Sequence, residues 1–280
     1  MTQTSPDDKP VFLLGLGAQK CGTSWLAAQL RTHPQFLISP IKELHYWDRR
    51  FHPDYFRGNG IAKKLAERAH EKPQSLLTDP LVERLLMDRH EQFYLSFFET
   101  RLKPQHLAFG EFSPSYCIMD ADELRYIIDF MPYRTKALFL MRDPVARLWS
   151  QCKMEYLKAR NRGKDHDPVA VFNTAPDKPK FFARSNYVAT VKSIDAAFDP
   201  DNRHYEFFEE LFTKEAMARI FGFAGIDPMA FDFDDNPNEG LKVARPSTEE
   251  WNRVGRAYTP IYDFIEERFG RLPKQWRRSA

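Results

Sequence analysis

Residues 11–26 read Val-Phe-Leu-Leu-Gly-Leu-Gly-Ala-Gln-Lys-Cys-Gly-Thr-Ser-Trp-Leu, and this stretch decides the fold that we predict. The apolar run at 11–14 is short enough to form a buried parallel strand. Gly17 and Gly22 permit a tight turn after it, because glycine lacks the Cβ atom that would obstruct such a turn. Apolar residues then recur at helical spacing. The stretch therefore predicts a strand, a glycine loop and a helix.

This order of elements is typical of a phosphate-binding site, because loop amides and the N-terminus of a helix both favour an anion. Thr23 and Ser24 add hydroxyl donors, and Lys20 adds a positive charge. In the ATP-binding pattern G-x-x-x-x-G-K-[ST] a lysine follows the second glycine, whereas here Thr23 follows Gly22. We therefore predict a phosphate site that is not matched to the β- and γ-phosphates of ATP with magnesium. A glycine-rich turn without a ligand is the alternative.

The composition predicts one soluble domain. With 280 residues, of which 42% are hydrophobic, the chain can bury a sizeable core. Its formal charge of +2 indicates no general affinity for nucleic acid. The three cysteines are too few for a disulfide framework or a zinc site, which favours a reducing compartment.

Residues 1–10 lack the basic region that is typical of a signal peptide, so we expect none, and no apolar run in the sequence is long enough to span a membrane. We therefore expect a cytoplasmic protein without a membrane span. We expect residues 1–9 to be disordered, residues 10–270 to form a single domain and residues 271–280 to form a basic tail.

Strands and helices alternate along the chain, which predicts an α/β fold: a three-layer P-loop-type domain with a mainly parallel central sheet flanked by helices. The predicted strands are 11–14, 36–38, 107–110, 137–141 and 205–208. The predicted helices are 22–32, 61–70, 80–102, 120–131, 144–162, 186–198, 213–224 and 247–269. Residues 163–183, which contain several prolines, are predicted to be a polar excursion.

A second anion site is predicted after the strand at 137–141. Arg142 ends that strand, at the edge where α/β sheets bind ligands. Asp143 suits the N-cap and Pro144 the first position of the next helix, which carries Ser150 two turns along. A guanidinium group and a hydroxyl suit a phosphate monoester, although an arginine paired with a carboxylate is the alternative. Two such sites fit a nucleotide with two separated phosphates, as in adenosine 3′,5′-bisphosphate (PAP).

These motifs resemble those of the sulfotransferases that use 3′-phosphoadenylyl sulfate (PAPS), especially the branch of heparan sulfate N- and 3-O-sulfotransferases and their bacterial relatives. The resembling segments are 19–26 for the 5′-phosphosulfate loop, 42–48 for the catalytic segment, 111–116 for a fourth block, 141–150 for the 3′-phosphate motif, and 242–246 with 258–260 for the closing loop and last helix. The resemblance implies PAPS as the donor, PAP as the product and no required metal.

The roles of individual residues follow from the same resemblance. It implies that the nucleotide is bound by Lys20, Cys21, Gly22, Thr23, Ser24, Arg142, Ser150, Lys242 and Arg245. It implies Glu43 as the general base, a catalytic contact from His45, and a catalytic role for Lys20 in neutralising the leaving oxygen. His45 and Asp48, with Glu43, would line the acceptor side. From the residues alone, Glu43 could instead be a capping or salt-bridged carboxylate, and His45 a packed core histidine.

One position departs from the family pattern. Phe112 stands where heparan-type members carry a lysine, so one cation near the acceptor is missing. This favours a smaller or less charged alcohol over an anionic polysaccharide. The expected reaction is transfer of a sulfonate group from PAPS to a hydroxyl, less readily an amine, of a small alcohol, lipid headgroup or glycan. A P-loop ATP-dependent kinase and a non-catalytic nucleotide-binding protein are the alternatives, and no pattern specifies an oligomeric state.

Overall fold

Five parallel strands form the central sheet of the computed structural model, which describes residues 9–55, 60–71, 78–164, 166–230 and 243–276. The strands are β1 (Val11–Gly17), β2 (Phe36–Ile38), β3 (Ala108–Phe112), β4 (Thr135–Met141) and β5 (Arg203–Phe207). Their order across the sheet is β2-β3-β1-β4-β5, and every neighbouring pair is parallel. The predicted fold class is therefore confirmed.

Helices connect the strands and cover the sheet. In the described ranges they are α1 (Thr23–Thr32), α2 (Trp47–Phe51), α3 (Gly60–Glu71), α4 (Pro80–Met87), α5 (Gln92–Glu99), α6 (Ala121–Phe130), α7 (Pro144–Arg160), α8 (Pro168–Thr174), α9 (Pro179–Phe182), α10 (Tyr187–Ala197), α11 (Phe208–Leu211), α12 (Lys214–Ala224), α13 (Thr248–Arg256) and α14 (Thr259–Phe269). Each predicted helix begins within two residues of the start of one of these helices.

The order of the strands places a crevice at the carboxyl ends of β1 and β4. The chain leaves β1 towards β2 on one side of the sheet, whereas it leaves β4 towards β5 on the other side. Connections that diverge from adjacent parallel strands open the crevice in which α/β sheets bind ligands. The glycine loop and Arg142 follow these two strands, so the fold brings both predicted anion sites to this crevice.

Two long predicted helices are wrong, because each is two helices. The predicted helix 80–102 ends at Met87 and a second begins at Gln92, which lets the second bury its aromatic face of Tyr94, Phe97 and Phe98. The predicted helix 247–269 also breaks, at Ala257 and Tyr258. Pro260 explains this second break, because a proline fits the first turn of a helix but obstructs a helix interior.

The interpretation of residues 163–183 as a polar excursion is also wrong. The segment contains α8 and α9, and each of these helices begins at a proline. The Phe172 side chain is fully buried and its ring contacts the rings of Trp149 and Trp251. The prolines in this segment therefore mark helix starts, where the missing N–H group costs nothing.

Predictions about the two ends of the chain fall partly on residues 1–8 and 277–280, which lie outside the described residues. Beyond Gly270 the chain still packs against the domain. Trp276 is buried, and its indole nitrogen donates a hydrogen bond to Glu209 over 2.8 Å.

Candidate active site

The loop after β1 has the tight geometry that its glycines permit. Gly22, directly before α1, has a φ angle of 87°, and a Cβ atom there would approach Leu211 to 2.7 Å. Lys20 also adopts a left-handed backbone, with φ 71°. Burial and the neighbouring Arg142 and Lys42 charges lower the pKa of Lys20. The loop therefore places a lysine in a positively charged region, as an anion site requires.

Cys21, which the resemblance includes among the nucleotide contacts, directs its side chain into the core. It is fully buried, and its sulfur lies 3.7 Å from the Tyr187 hydroxyl. Burial raises the pKa of the Cys21 thiol to about 12, so the thiol stays protonated at neutral pH. The side chain of Cys21 is therefore a packing group.

Arg142 reaches the glycine loop from β4. Its Nη1 atom donates to the Lys20 carbonyl oxygen over 3.2 Å, and its guanidinium group lies 4.3 Å from the centre of the Phe208 ring. The side chain is half-buried. The two predicted anion sites therefore adjoin one another.

Ser150, the other residue of the predicted 3′-phosphate motif, lies on α7 and is partly exposed. In the predicted closing loop Arg245 is exposed, whereas Lys242 is outside the described residues. Lys153, three residues after Ser150, belongs to the same surroundings: burial and the charges of Arg142 and Arg245 lower its pKa. The sequence analysis did not include Lys153. Its position three residues after Ser150, which places both residues on one face of a helix, could have indicated it.

The start of α7 has the predicted cap. The Asp143 carboxylate accepts a hydrogen bond from the Ala146 N–H group over 2.8 Å, and Pro144 lies in the first turn. Arg147 is fully buried and donates to Ser185 and Gln151. Its guanidinium group therefore supports the core, and Arg142 is the arginine that faces the loop.

The catalytic segment predicted at 42–48 forms a line of ionisable groups. His45 Nδ1 lies 2.6 Å from Asp48 Oδ2, and His45 Nε2 lies 3.3 Å from Glu43 Oε2. The side chains of Glu43 and His45 are each 33% exposed, so His45 is not a packed core histidine. Asp48 is fully buried and bonded to Ser115 as well. It therefore holds the Nδ1 side of the His45 ring, and its place on the acceptor side stays a prediction.

The charges of this line follow from its contacts. Burial alone would lower the pKa of His45, but hydrogen bonds to Asp48 and Glu43 outweigh it and raise that pKa to about 9. Burial alone would raise the pKa of Glu43, but the hydrogen bond and charge of His45 outweigh it and lower that pKa. At neutral pH the pair is therefore an imidazolium and a carboxylate, which leaves Glu43 able to accept a proton.

The raised pKa of His45 predicts a pH dependence of stability. A pKa of about 9 in the folded state lies above the ordinary value of 6.5, so its stabilisation is complete below about pH 6.5 and is lost as pH rises through 9. We expect the difference in unfolding free energy between wild type and His45→Asn to shrink by on the order of 1 kcal/mol over this interval, allowing for the partial exposure of the ring. Urea titrations at several pH values measure it; parallel pH profiles for the two proteins would contradict it.

A cleft of about 610 Å³ opens beside the line of ionisable groups. We call it the basic cleft. Gln19, Glu43 and His45 line it together with basic residues that include Lys42, Lys64, Lys158, Arg162, Lys180 and Arg184. Lysine and arginine outnumber carboxylates in this lining, and the Glu155 carboxylate is paired with Lys158 over 3.3 Å. The cleft therefore presents positive charge to whatever enters it. The sequence did not predict this, because the cations come from separate helices.

Phe112, the departure from the family pattern, has a packing role. A Cβ atom added at Gly15 would lie 2.1 Å from its ring, so the ring occupies the space left open on β1. The absence of a lysine at this position does not leave the cleft short of cations.

In the described ranges of the chain, no group of three or more His, Cys, Asp or Glu side chains is arranged to hold a metal ion. Nor is any helix there long and apolar enough to cross a bilayer.

No family model matches the chain. Carbohydrate sulfotransferase 15 of Rattus norvegicus is 27% identical over 173 residues, which cover 55% of this chain and 29% of that protein. The match thus spans less than a third of that relative's length. A sulfotransferase structure from Alicyclobacillus acidocaldarius aligns with a TM-score of 0.68 and 22% identity, over 96% of this chain and 99% of that one. Mouse sulfotransferase SULT7A1, solved with PAP, aligns with a TM-score of 0.41 and 14% identity, over 92% and 66%.

The parallel sheet, the glycine loop and the crevice define a P-loop-type α/β protein. More specifically, the chain has the sulfotransferase fold, because the Alicyclobacillus acidocaldarius structure superposes over nearly its whole length. The resemblance to sulfotransferases is confirmed, whereas neither comparison singles out the heparan sulfate branch.

Proposed function

We propose that this protein is a PAPS-dependent sulfotransferase that transfers a sulfonate group to a hydroxyl group of its acceptor. The observation that carries the proposal is the contact between Arg142 and the Lys20 carbonyl, which joins the second anion site to the glycine loop. A nucleotide with a 3′-phosphate needs both sites within one crevice, and ATP does not. The carboxylate of Glu43 lies in the adjoining basic cleft, where it can reach an acceptor.

The proposed chemistry needs positioning and charge compensation. The acceptor oxygen forms a bond to sulfur as the bond from sulfur to the PAP phosphate oxygen breaks, in a displacement similar to phosphoryl transfer. Glu43 takes the acceptor proton as general base. Lys20 and the loop N–H groups stabilise the negative charge that develops on the departing phosphate. His45 holds Glu43 in its ionised form.

The basic cleft supports an acceptor that carries negative charge, in contrast to the expectation drawn from Phe112. A cleft lined by one sign of charge concentrates ligands of the opposite sign. Lys64 on α3, Lys180 on α9 and Arg162 after α7 approach this cleft from separate parts of the chain. An acidic sugar or a phosphate-bearing headgroup has the charge that this lining would attract.

Reversing one charge in the lining tests the acceptor class. We expect Lys180→Glu to raise the KM for an anionic acceptor by about 2- to 10-fold, since one exposed ion pair contributes up to about 1 kcal/mol and the reversal adds repulsion. Added salt should reduce the difference. Steady-state kinetics on matched sulfated and neutral oligosaccharides measure it. An equal effect on both acceptors would count against an anionic substrate.

The function itself is tested in two stages. Thermal melting should show stabilisation by PAP and PAPS of about 2.7 kcal/mol at a hundredfold excess over Kd, and little stabilisation by ATP. A panel of acidic and neutral alcohols, incubated with PAPS, is then searched by mass spectrometry for the addition of one sulfonate group. Magnesium-dependent consumption of ATP would favour the kinase alternative. Binding of PAP without transfer to any acceptor would favour a non-catalytic protein.

A further inference from the structure

Two residues of the catalytic segment adopt a backbone conformation that non-glycine residues rarely take. Glu43 has a φ angle of 56° and His45 one of 49°, on either side of the buried Leu44. Such residues persist in the left-handed region only where the surrounding structure holds them. The contacts that hold this backbone therefore also determine where the two side chains point.

Arg84 of α4 holds the segment from one side. Its side chain is fully buried, its Nε atom donates to the Leu44 carbonyl over 2.7 Å, and its Nη2 atom donates to the His45 carbonyl over 2.6 Å. The rigid fork of a guanidinium group can bridge two successive carbonyls in this way, whereas a lysine ammonium is a single point. Asp88 pairs with the remaining nitrogen over 2.7 Å, so the charge is compensated.

Ser113 holds the same segment from the other side. Its Oγ atom accepts a hydrogen bond from the His45 N–H group over 3.2 Å and donates to Glu111 Oε2 over 2.6 Å. Because a hydroxyl has one proton, donation to Glu111 turns the lone pairs of Ser113 towards His45. The Tyr116 hydroxyl acts similarly, donating to Glu111 over 2.8 Å and accepting from the Tyr46 N–H group over 3.2 Å.

We propose that Arg84 and Ser113 are positioning residues that clamp the backbone of Leu44 and His45 and thereby aim Glu43 and His45 into the basic cleft. They touch neither substrate in this scheme, and they act through the catalytic segment. The inference deepens the proposed function, because it assumes that Glu43 is the base of that reaction. In the sequence, Ser113 lies 68 residues from His45 and Arg84 lies 39 residues from it, so only the tertiary fold brings these residues into contact.

Arg84→Lys and Ser113→Ala test the clamp. We expect each to lower kcat by about 10- to 100-fold, because small displacements of a reacting group have effects of this size. The affinity for PAP should change little. In each variant the pKa of His45, followed by NMR of the ring, should fall from about 9 towards its ordinary value as the ring leaves the two carboxylates. Arg101→Lys is the matched control; Arg101 pairs with Glu83 of the same helix α4 and has no described contact with the catalytic segment, so this variant should retain the kcat and His45 titration of wild type.

The readouts separate this inference from the proposed function. A wild-type protein that transfers no sulfonate refutes the function, whereas the His45 titration still tests the clamp. Variants with lower melting temperatures but unchanged kcat and unchanged His45 titration would show that Arg84 and Ser113 serve stability alone, which would overturn the clamp. If Arg84→Lys does not fold, Ser113→Ala alone tests the clamp, since it removes only one hydrogen bond to His45.

Discussion

Glu43→Gln is expected to abolish sulfonate transfer while leaving PAP binding intact. The amide cannot take a proton from the acceptor, and general-base catalysis contributes about 10²- to 10⁴-fold to a rate. The substitution keeps the size of the side chain and a hydrogen-bonding oxygen towards His45, which lies 3.3 Å away. The Glu43 side chain lies in the basic cleft beyond the glycine loop, so the nucleotide contacts should survive. Turnover measured by mass spectrometry and PAP affinity measured by calorimetry test the two halves of this prediction.

Glu155→Gln is the matched control for this experiment. Glu155 lines the same cleft and is paired with Lys158, but it is not connected to His45 in the described contacts. We expect it to retain most of the wild-type turnover. Unchanged turnover in Glu43→Gln would remove Glu43 as the base, and parallel losses in both variants would indicate an effect of the charge of the cleft in general.

Arg142→Ala is expected to weaken PAP binding by about 10- to 100-fold. Hydrogen bonds to charged groups contribute about 1.5–3 kcal/mol, and a guanidinium group facing a phosphate makes such bonds. Adenosine 5′-phosphate lacks the 3′-phosphate, so its affinity should fall much less. The remaining loss should reflect the hydrogen bond that Arg142 donates to the Lys20 carbonyl. Calorimetric titration with both nucleotides gives the comparison directly.

Lys192→Ala removes a positive charge on α10 from a side chain that lies over the Phe264 ring and has no described contact with the glycine loop or Arg142, so this variant should bind both nucleotides as wild type does. Equal losses of PAP and adenosine 5′-phosphate affinity in Arg142→Ala would place Arg142 in support of the loop and not at the 3′-phosphate. Unchanged affinity for both would remove the second anion site.

Short-range chemistry made the sheet predictable. The interior strands are almost entirely buried and so form apolar runs in the sequence, as at residues 11–14 and 137–141. The capping box of Ser247 and Glu250 lies within four residues, so the start of a helix near residue 247 could be predicted. The wrong prediction for the segment 163–183 also has a local origin. Its prolines favour an irregular segment when only the sequence is considered, but two of them are the first residues of helices.

The candidate site was only half predictable. Residue types and spacing singled out Lys20 and Arg142, and the resemblance to sulfotransferases singled out Glu43 and His45. They did not indicate that Asp48 would be buried behind His45, nor that α4 would supply Arg84. The charge of the cleft also differs from the expectation. A single missing lysine can be seen in a motif, whereas the sequence does not show that cations from several helices will line one cleft.

The sequence by itself determined the parallel α/β class, the glycine loop after β1, and the positions of the ionisable groups along the catalytic segment. Each of these depends on interactions between residues near one another in the chain, such as turn conformations, helix caps and apolar periodicity. Only the tertiary structure decided that Arg142 meets the loop, that Arg84 and Ser113 hold the catalytic segment, and that lysines and arginines surround the cleft. Those features depend on contacts between distant segments, and their geometry is set by the packing of helices on the sheet.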